Sequence, residues 1–281
     1  MNTSGTSGLA IPPYNLLYGN GYSAGARTHT NSWGSIYSGT GYYNGQDADT
    51  YLYSHTDVII FFAAGNSGTN GAYSISCESS GKSIVSVGSS QSAAPVNGKA
   101  TTQNISSVSW FSSQGPTYDQ RIKPDIVITG DPLMSAKSNG NLGQSCATVE
   151  KIGTSMASPA AAGSALLIRQ YFMDTRFWSF NCNQLYSNCG PLTPSGVLVK
   201  AIILHSGSRM LQYSGTNSVT PLGPPPDSVQ GYGRITFKNV LPIKSTYPFD
   251  LFVDDLNKIG QNSKTTYSVT IPISGNTAPL K

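Results

Sequence analysis

The segment GTSMASPAAAGSALLI, residues 153–168, constrains this chain more than any other feature. Its alanine content predicts a helix, because alanine is the strongest helix former. Pro159 is best tolerated near the first turn, which places the helix start close to Ser155. We expect a central, buried helix, since small side chains allow close packing at Ala157, Ala160, Ala161 and Gly163. Ser155 then stands at a helix N-terminus, where it is either a nucleophile or a simple capping residue.

Helices and strands alternate along the first part of the chain, which predicts the α/β fold class with a parallel sheet and helices on both faces. The pattern predicts helices at residues 9–25 and 45–55, strands at 26–32, 58–64 and 83–88, and later a helix at 198–206. Ligands of such sheets bind at the carboxyl ends of the strands. The loops at residues 32–34 and 65–68 follow two strands and are therefore the expected binding loops.

The composition excludes several classes of protein. Charged residues make up 11% of the chain and apolar residues 38%, and the net charge of +4 comes without a lysine or arginine cluster. This predicts no nucleic-acid partner. No apolar run approaches about 18 residues, so the sequence predicts no membrane segment. A soluble, extracytoplasmic domain fits these values, although residues 1–5 do not resemble a signal peptide.

The chain has four cysteines, Cys77, Cys146, Cys182 and Cys189. They allow two disulfides, and Cys182 and Cys189 are close enough to close a small loop. Zinc is the alternative, but the spacing lacks a Cys-x-x-Cys or His-x-x-x-His pair. We therefore expect no metal and no cofactor.

Three motifs resemble those of the subtilisin-like serine proteases. GTSMASP at residues 153–159 resembles their nucleophile signature, NSWG at 31–34 their substrate-binding segment, and AAGNSG at 63–68 the segment with the oxyanion-binding asparagine. The resemblance implies that Ser155 is the nucleophile and that Asn66 donates to the oxyanion. It also implies a polypeptide substrate bound as an extended strand. The substrate-binding residues that it implies are Ser32, Trp33, Gly34, Ala63, Ala64 and Gly65.

Weaker matches to the same family are FSSQGP at 111–116, RIKPDI at 121–126 and QGYGRI at 230–235. We interpret these as turns, and Asp125 as a residue that caps or pairs locally. The chain is most similar to the branch of alkaline proteases with a C-terminal β-sandwich and to slime-mould relatives. This implies a partial subtilisin-like peptidase domain at residues 1–243 and the beginning of a sandwich at 244–281, with strands at 249–252 and 266–271. It also implies an extracellular or secretory location.

The family's catalytic Asp and His motifs do not occur in this sequence. Its three histidines, His29, His55 and His205, lack the family's flanking glycine, and we interpret all three as structural. Without a base, Ser155 is a poor nucleophile, so the chain alone is expected to be inactive.

Three explanations stay open for the missing motifs. The chain is a fragment that lacks its N-terminal part, or an inactive pseudoprotease that binds peptides, or a segment completed by a separate chain. We favour the first. Fusion to a transporter, as in some slime-mould relatives, is a further possibility. Loss of the first strands would also leave an open sheet edge. Calcium occurs in the family, but the aspartates that could bind it read equally as surface residues: Asp47, Asp49, Asp254 and Asp255.

Overall fold

The computed structural model describes residues 10–35, 45–92, 104–138, 140, 143, 147–178, 191–243, 249, 251, 253–255 and 259–268. The helices are α1 (Tyr14–Ser23), α2 (Gln46–Ser54), α3 (Thr154–Met173) and α4 (Gly196–His205). The strands are β1 (Thr28–Asn31), β2 (Ile59–Ala63), β3 (Val85–Gln91), β4 (Ser107–Val108), β5 (Ile126–Asp131), β6 (Leu133–Ala136), β7 (Thr148–Lys151), β8 (Gln212–Ser214) and β9 (Val219–Pro221).

The main sheet has a parallel layer in the order β1, β2, β3, β5, and it continues from β3 through β4 and β8 to β9. Residue pairing is in register along the first two strands, with Thr28 opposite Ile59 and Asn31 opposite Phe62. A separate antiparallel hairpin joins β6 to β7. The predicted α/β class and parallel sheet are confirmed, and the predicted strands and helices lie within a few residues of the observed ones.

Alternate residues of β2 face opposite layers of the molecule. Ile59 and Phe61 belong to the apolar core that contains α3 and α4. Ile60 and Phe62 belong to a second core, beneath α1 and α2. All four side chains are buried, as expected for a parallel strand covered on both faces. Helices therefore cover both faces of the sheet, as the alternation of elements predicts.

Helix α3 begins at Thr154, next to the predicted start, and Pro159 is its sixth residue, close to the first turn. One detail of the prediction is wrong, because the helix is buried on one face only. Ala157 and Ala161 are fully buried against the sheet, whereas Gly163 and Leu166 are exposed on the outer face. Because small residues occur on both faces of α3, its sequence does not show whether other elements pack against one side of the helix or against all sides.

Strand β1 is the edge of the sheet in the described part of the chain, where it pairs with β2 alone. Buried polar atoms without a hydrogen-bond partner gather at this edge: Thr28 Oγ1, His29 Nδ1 and Asn31 Oδ1. Burial lowers the pKa of His29, so the ring is held neutral. Strand β1 is thus an edge strand in the described part of the chain.

Most of the residues after 243, and three of the four cysteines, lie outside the described residues. The described parts of the predicted strands 249–252 and 266–271 are not strands, and the β-sandwich and the boundary at residue 243 stay predictions. Leu251 and Val253 pack against the core that contains α3. Cys77 is a buried free thiol, so the two disulfides that the cysteine count allows are not both present.

Candidate active site

The two predicted binding loops and the start of α3 surround one cavity. It lies beyond the carboxyl ends of β1 and β2 and has a volume of about 240 Å³. Its lining consists of Ser32, Trp33, Gly34, Ser35, Ala63, Gly65, Asn66, Ser67, Ser74, Ser76, Thr154 and Ser155. Seven of the eight predicted site residues are therefore brought together. The eighth, Ala64, is buried beside the cavity, where its backbone pairs with Val87 and Ser76.

Ser155 and Ser32 hold the start of α3 against the end of β1. The Ser32 hydroxyl donates to the Ser155 carbonyl oxygen over 2.8 Å, and the Ser155 hydroxyl donates to the Ser32 carbonyl oxygen over 3.3 Å. The first bond has a clear cause. Pro159 has no N–H, so the Ser155 carbonyl lacks its usual partner four residues along the helix. The hydroxyl of Ser32 takes that place.

A second contact joins the same two elements one turn further along α3. The hydroxyls of Thr30 and Ser158 lie 2.9 Å apart, and Ser158 is fully buried. The nucleophile candidate is therefore held to the sheet at its own position and again one turn further along the helix.

Thr154 fixes the orientation of the Asn66 side chain. Asn66 Oδ1 accepts from the Thr154 N–H and from the Thr154 hydroxyl, each over 2.9 Å. The same hydroxyl accepts from the Gly65 N–H over 3.2 Å. Since the oxygen of the amide is thereby identified, its nitrogen must point the other way. Among the described residues Nδ2 makes no hydrogen bond, so it is available as a donor.

Two glycines are required by the backbone around Asn66. Gly65 has a φ of +113° and Gly153 a φ of +146°, a region that residues with a Cβ rarely adopt. A Cβ on Gly65 would stand 2.7 Å from Ser113 Oγ. Ser113 Oγ in turn accepts from the Ser67 N–H over 3.0 Å, which fixes the far side of the loop. The loop that carries Asn66 is thus held on both sides.

These groups form an arrangement that can bind a developing negative charge. The Ser155 N–H lies in the first turn of α3, where backbone N–H groups have no partner within the helix. Ser155 and Asn66 both line the same cavity. A helix N-terminus also favours negative charge. The site can therefore stabilise an oxyanion beside a serine hydroxyl.

No described histidine is placed to activate Ser155. The ring of His29 packs edge-on against Tyr18, with the centroids 4.6 Å apart. His55 stacks on Tyr51, with the centroids 4.0 Å apart, and hydrogen-bonds its carbonyl oxygen. His205 is the last residue of α4. The structural interpretation of the histidines agrees with these positions.

Two of the carboxylates singled out in the sequence, Asp125 and Asp49, have structural partners. Asp125 accepts from Lys123 Nζ over 2.5 Å and from the Ser86 N–H over 2.7 Å, as its local role predicts. Asp49 accepts from two backbone N–H groups, at Lys82 and Ser83. In the described ranges no three His, Cys, Asp or Glu residues are grouped as a metal ion would require.

Sequence reasoning missed three residues of the site. Thr154 lies inside the recognised motif, but its spacing does not reveal that it orients Asn66. Ser113 supports the Asn66 loop from a distant segment, and Glu78 lies behind Ser35 with its carboxylate on the Ser35 N–H. Thr154 and Ser113 therefore lie in motifs that the sequence reveals, the second of which is interpreted as a turn, whereas Glu78 lies in none.

Known proteins resemble this chain over most of its length. The curated relatives include the serine protease/ABC transporter B family proteins tagD and tagB of Dictyostelium discoideum. They are 27% and 28% identical to it over 84% and 88% of the chain. The chain spans 17% of the length of each. None of the helices in the described residues has the length and apolar character to span a bilayer.

Among solved structures, the prenylagaramide maturation protease PagA superposes with a TM-score of 0.53 and 18% identity. The match covers 83% of this chain and 68% of that one, and it supports the fold. The model of the subtilase family, Peptidase S8, matches residues 3–233, well over half of the chain. Together with the α/β fold and the serine at the start of α3, this match shows that the chain belongs to the subtilase family of serine endopeptidases.

Proposed function

We propose that this chain supplies the nucleophile and the oxyanion-binding groups of a serine endopeptidase that acts through an acyl-enzyme. The observation that carries this proposal is the geometry around Thr154. Its bonds to Asn66 Oδ1 leave the amide nitrogen of Asn66 without a partner among the described residues, and Asn66 lines the same cavity as Ser155. A free amide donor next to a nucleophile is what acyl transfer needs.

In the proposed reaction a peptide lies extended between the segments 32–34 and 63–65. The Ser155 oxygen attacks the peptide carbonyl, and Asn66 Nδ2 and the Ser155 N–H bind the resulting oxyanion. Collapse of this intermediate expels the amine with a proton and leaves an acyl group on Ser155. Water then hydrolyses that ester.

In this proposal the base comes from outside these 281 residues. In this structure the Ser155 proton points to the Ser32 carbonyl, which cannot act as a base. We propose that a histidine oriented by an aspartate, both from another segment, completes the site. In the described residues β1 is an edge strand, which leaves room for a further strand beside it in this proposal.

The competing function is peptide binding without hydrolysis. The observation that favours it is that no histidine described in this structure hydrogen-bonds Ser155. Such a protein would keep the cavity and bind extended peptides, but Ser155 would form no acyl intermediate.

The test is peptide hydrolysis by the complete protein encoded around this chain. We expect Ser155→Ala to abolish turnover and Asn66→Ala to lower kcat by about 10²–10³, a range measured on a subtilisin, which is a member of this family. Asn70→Ala, in the same loop but outside the cavity, is the matched control and should keep full turnover. Equal activity of Ser155→Ala and the unaltered protein would overturn the proposal.

We also propose an extracellular or secretory location, on the grounds of the low charge content and the family. A tagged complete protein should appear in the culture medium or in secretory vesicles. Its confinement to the cytosol would contradict this location.

A further inference from the structure

A short motif ahead of β4 has no part in the protease site. Residues 104–106 read Asn-Ile-Ser, the acceptor motif for N-linked glycosylation, in which serine or threonine follows two residues after an asparagine. A second such motif, at residues 2–4, lies outside the described residues. Because a glycan is bulky and hydrophilic, the motif has meaning only where the asparagine lies at the surface with its amide nitrogen unused. The structure around Asn104 meets both conditions.

Asn104 begins an exposed turn that leads into β4. Its side-chain oxygen, Oδ1, accepts from the Ser106 N–H over 2.9 Å, and its backbone oxygen accepts from the Ser107 N–H over 2.7 Å. Both bonds join close neighbours in the sequence, so this turn can form before the rest of the chain folds. Asn104 and Ile105 are exposed, whereas Ser107 is fully buried in β4. The turn therefore presents the asparagine at the surface.

The backbone of the turn is also tied to distant parts of the fold. The Asn104 N–H donates to Gln91 Oε1 over 3.0 Å. The Ser106 carbonyl oxygen accepts from the Leu211 N–H over 2.8 Å. These bonds hold the motif in one conformation, and they use only its backbone groups.

The amide nitrogen of Asn104, the atom to which a glycan is attached, has no structural role in the described residues. Since the bond from the Ser106 N–H identifies Oδ1, Nδ2 must point away from the turn, and it makes no hydrogen bond there. A sugar on Nδ2 would leave the bonds of the turn unchanged. Asn31 shows the opposite case, because it is buried and its Nδ2 donates to the Phe61 carbonyl oxygen.

We propose that Asn104 carries an N-linked oligosaccharide when the chain passes through the secretory pathway. In the transfer, Nδ2 forms a bond to the anomeric carbon of the first sugar of a lipid-diphosphate-linked oligosaccharide. The bond from that carbon to the diphosphate oxygen breaks, the lipid diphosphate leaves, and the amide nitrogen loses one proton to a base of the transferring enzyme. Nothing is oxidised or reduced. The proposal rests on the proposed secretory location and not on hydrolysis by Ser155.

The glycan would cover apolar surface beside the turn. Ile105 is 40% exposed, and Leu211, which donates its N–H to the turn, is 55% exposed. A hydrophilic group at Asn104 shields both from other molecules. Residues 104–106 do not line the cavity beside Ser155, so we expect the glycan to leave peptide turnover unchanged.

The test directs the complete protein into the secretory pathway of a eukaryotic cell with an added signal peptide. Trypsin then releases residues 100–121, a peptide in which Asn104 is the only asparagine. Peptide N-glycosidase in heavy-oxygen water removes an N-linked glycan and converts its asparagine into labelled aspartate, which mass spectrometry detects. We expect labelled aspartate at position 104. A folded, secreted protein that keeps an unmodified asparagine there would overturn the proposal.

Three variants separate the glycan from the fold. Ser106→Ala removes the motif, and within the described residues the Ser106 hydroxyl makes no hydrogen bond that would be lost. Asn104→Asp removes the amide nitrogen but keeps the oxygen that accepts from the Ser106 N–H. Both variants should be secreted without the glycan. Ser106→Thr keeps the motif and is the matched control, so it should keep the glycan. A glycan at Asn104 that survives Ser106→Ala would contradict the proposal.

The protein with its natural N-terminus separates this proposal from the proposed location. If the protein with the added signal peptide is glycosylated at Asn104 and the natural one stays in the cytosol, the location is refuted alone. If both are secreted and neither carries the glycan, the role of Asn104 is refuted alone.

Discussion

Replacing Thr154 by valine tests how the site holds Asn66. Valine keeps the shape and the backbone N–H of the residue but removes the hydroxyl. That hydroxyl donates to Asn66 Oδ1 and accepts from the Gly65 N–H. Loss of the first bond costs about 1 kcal/mol, and leaving the Gly65 N–H unsatisfied costs about 1–3 kcal/mol. We therefore expect the free energy of unfolding to fall by about 2–4 kcal/mol.

The assay is urea unfolding of the chain, followed by fluorescence, together with turnover in the complete protein. Thr154→Ser is the matched control, because it keeps both hydrogen bonds and loses one methyl group, which costs about 1 kcal/mol. Turnover should fall more in the valine variant than in the serine variant, since only valine loosens Asn66. The reasoning is refuted if the two variants unfold at the same urea concentration and turn over substrate equally.

Two further predictions concern the rest of the fold. Burial lowers the pKa of Lys123 to about 8, although Asp125 opposes the shift, so the native state releases this proton before the unfolded chain does. The free energy of unfolding should therefore rise by about 3 kcal/mol between pH 8 and the ordinary lysine pKa because of Lys123. Urea titrations of Lys123→Met over the same pH range should not show this rise. A Cβ on Gly163 meets nothing within 4 Å, whereas one on Gly196 would stand 1.9 Å from the Val58 carbonyl oxygen. In thermal melts Gly163→Ala should stabilise the chain by about 1 kcal/mol, and Gly196→Ala should prevent folding; the opposite order would contradict the packing.

The sequence predicts the core of this structure well because its signals are local. The apolar run that becomes β2 is long enough to identify a buried strand, and the alanine-rich segment identifies α3. The loops that follow β1 and β2 could be located because parallel strands place their carboxyl ends at one edge. Motif and topology thus agree on where the cavity lies.

What the sequence could not reveal depends on contacts between distant segments. The bond between Ser32 and the Ser155 carbonyl spans 123 residues and arises because Pro159 leaves that carbonyl without a partner. For the same reason the sequence gives no signal for Glu78, which contacts Ser35 across 43 residues. Which face of α3 is exposed also depends on neighbouring elements and not on the helix itself.

The most direct test of the central claim is labelling of the complete protein with a fluorophosphonate, followed by peptide mapping. This reagent reacts with an activated serine, so the account predicts one label, on Ser155, that is lost in Ser155→Ala and slowed in Asn66→Ala. The isolated 281-residue chain should label far more slowly, because it lacks the base. A folded complete protein whose Ser155 stays unlabelled would contradict the account.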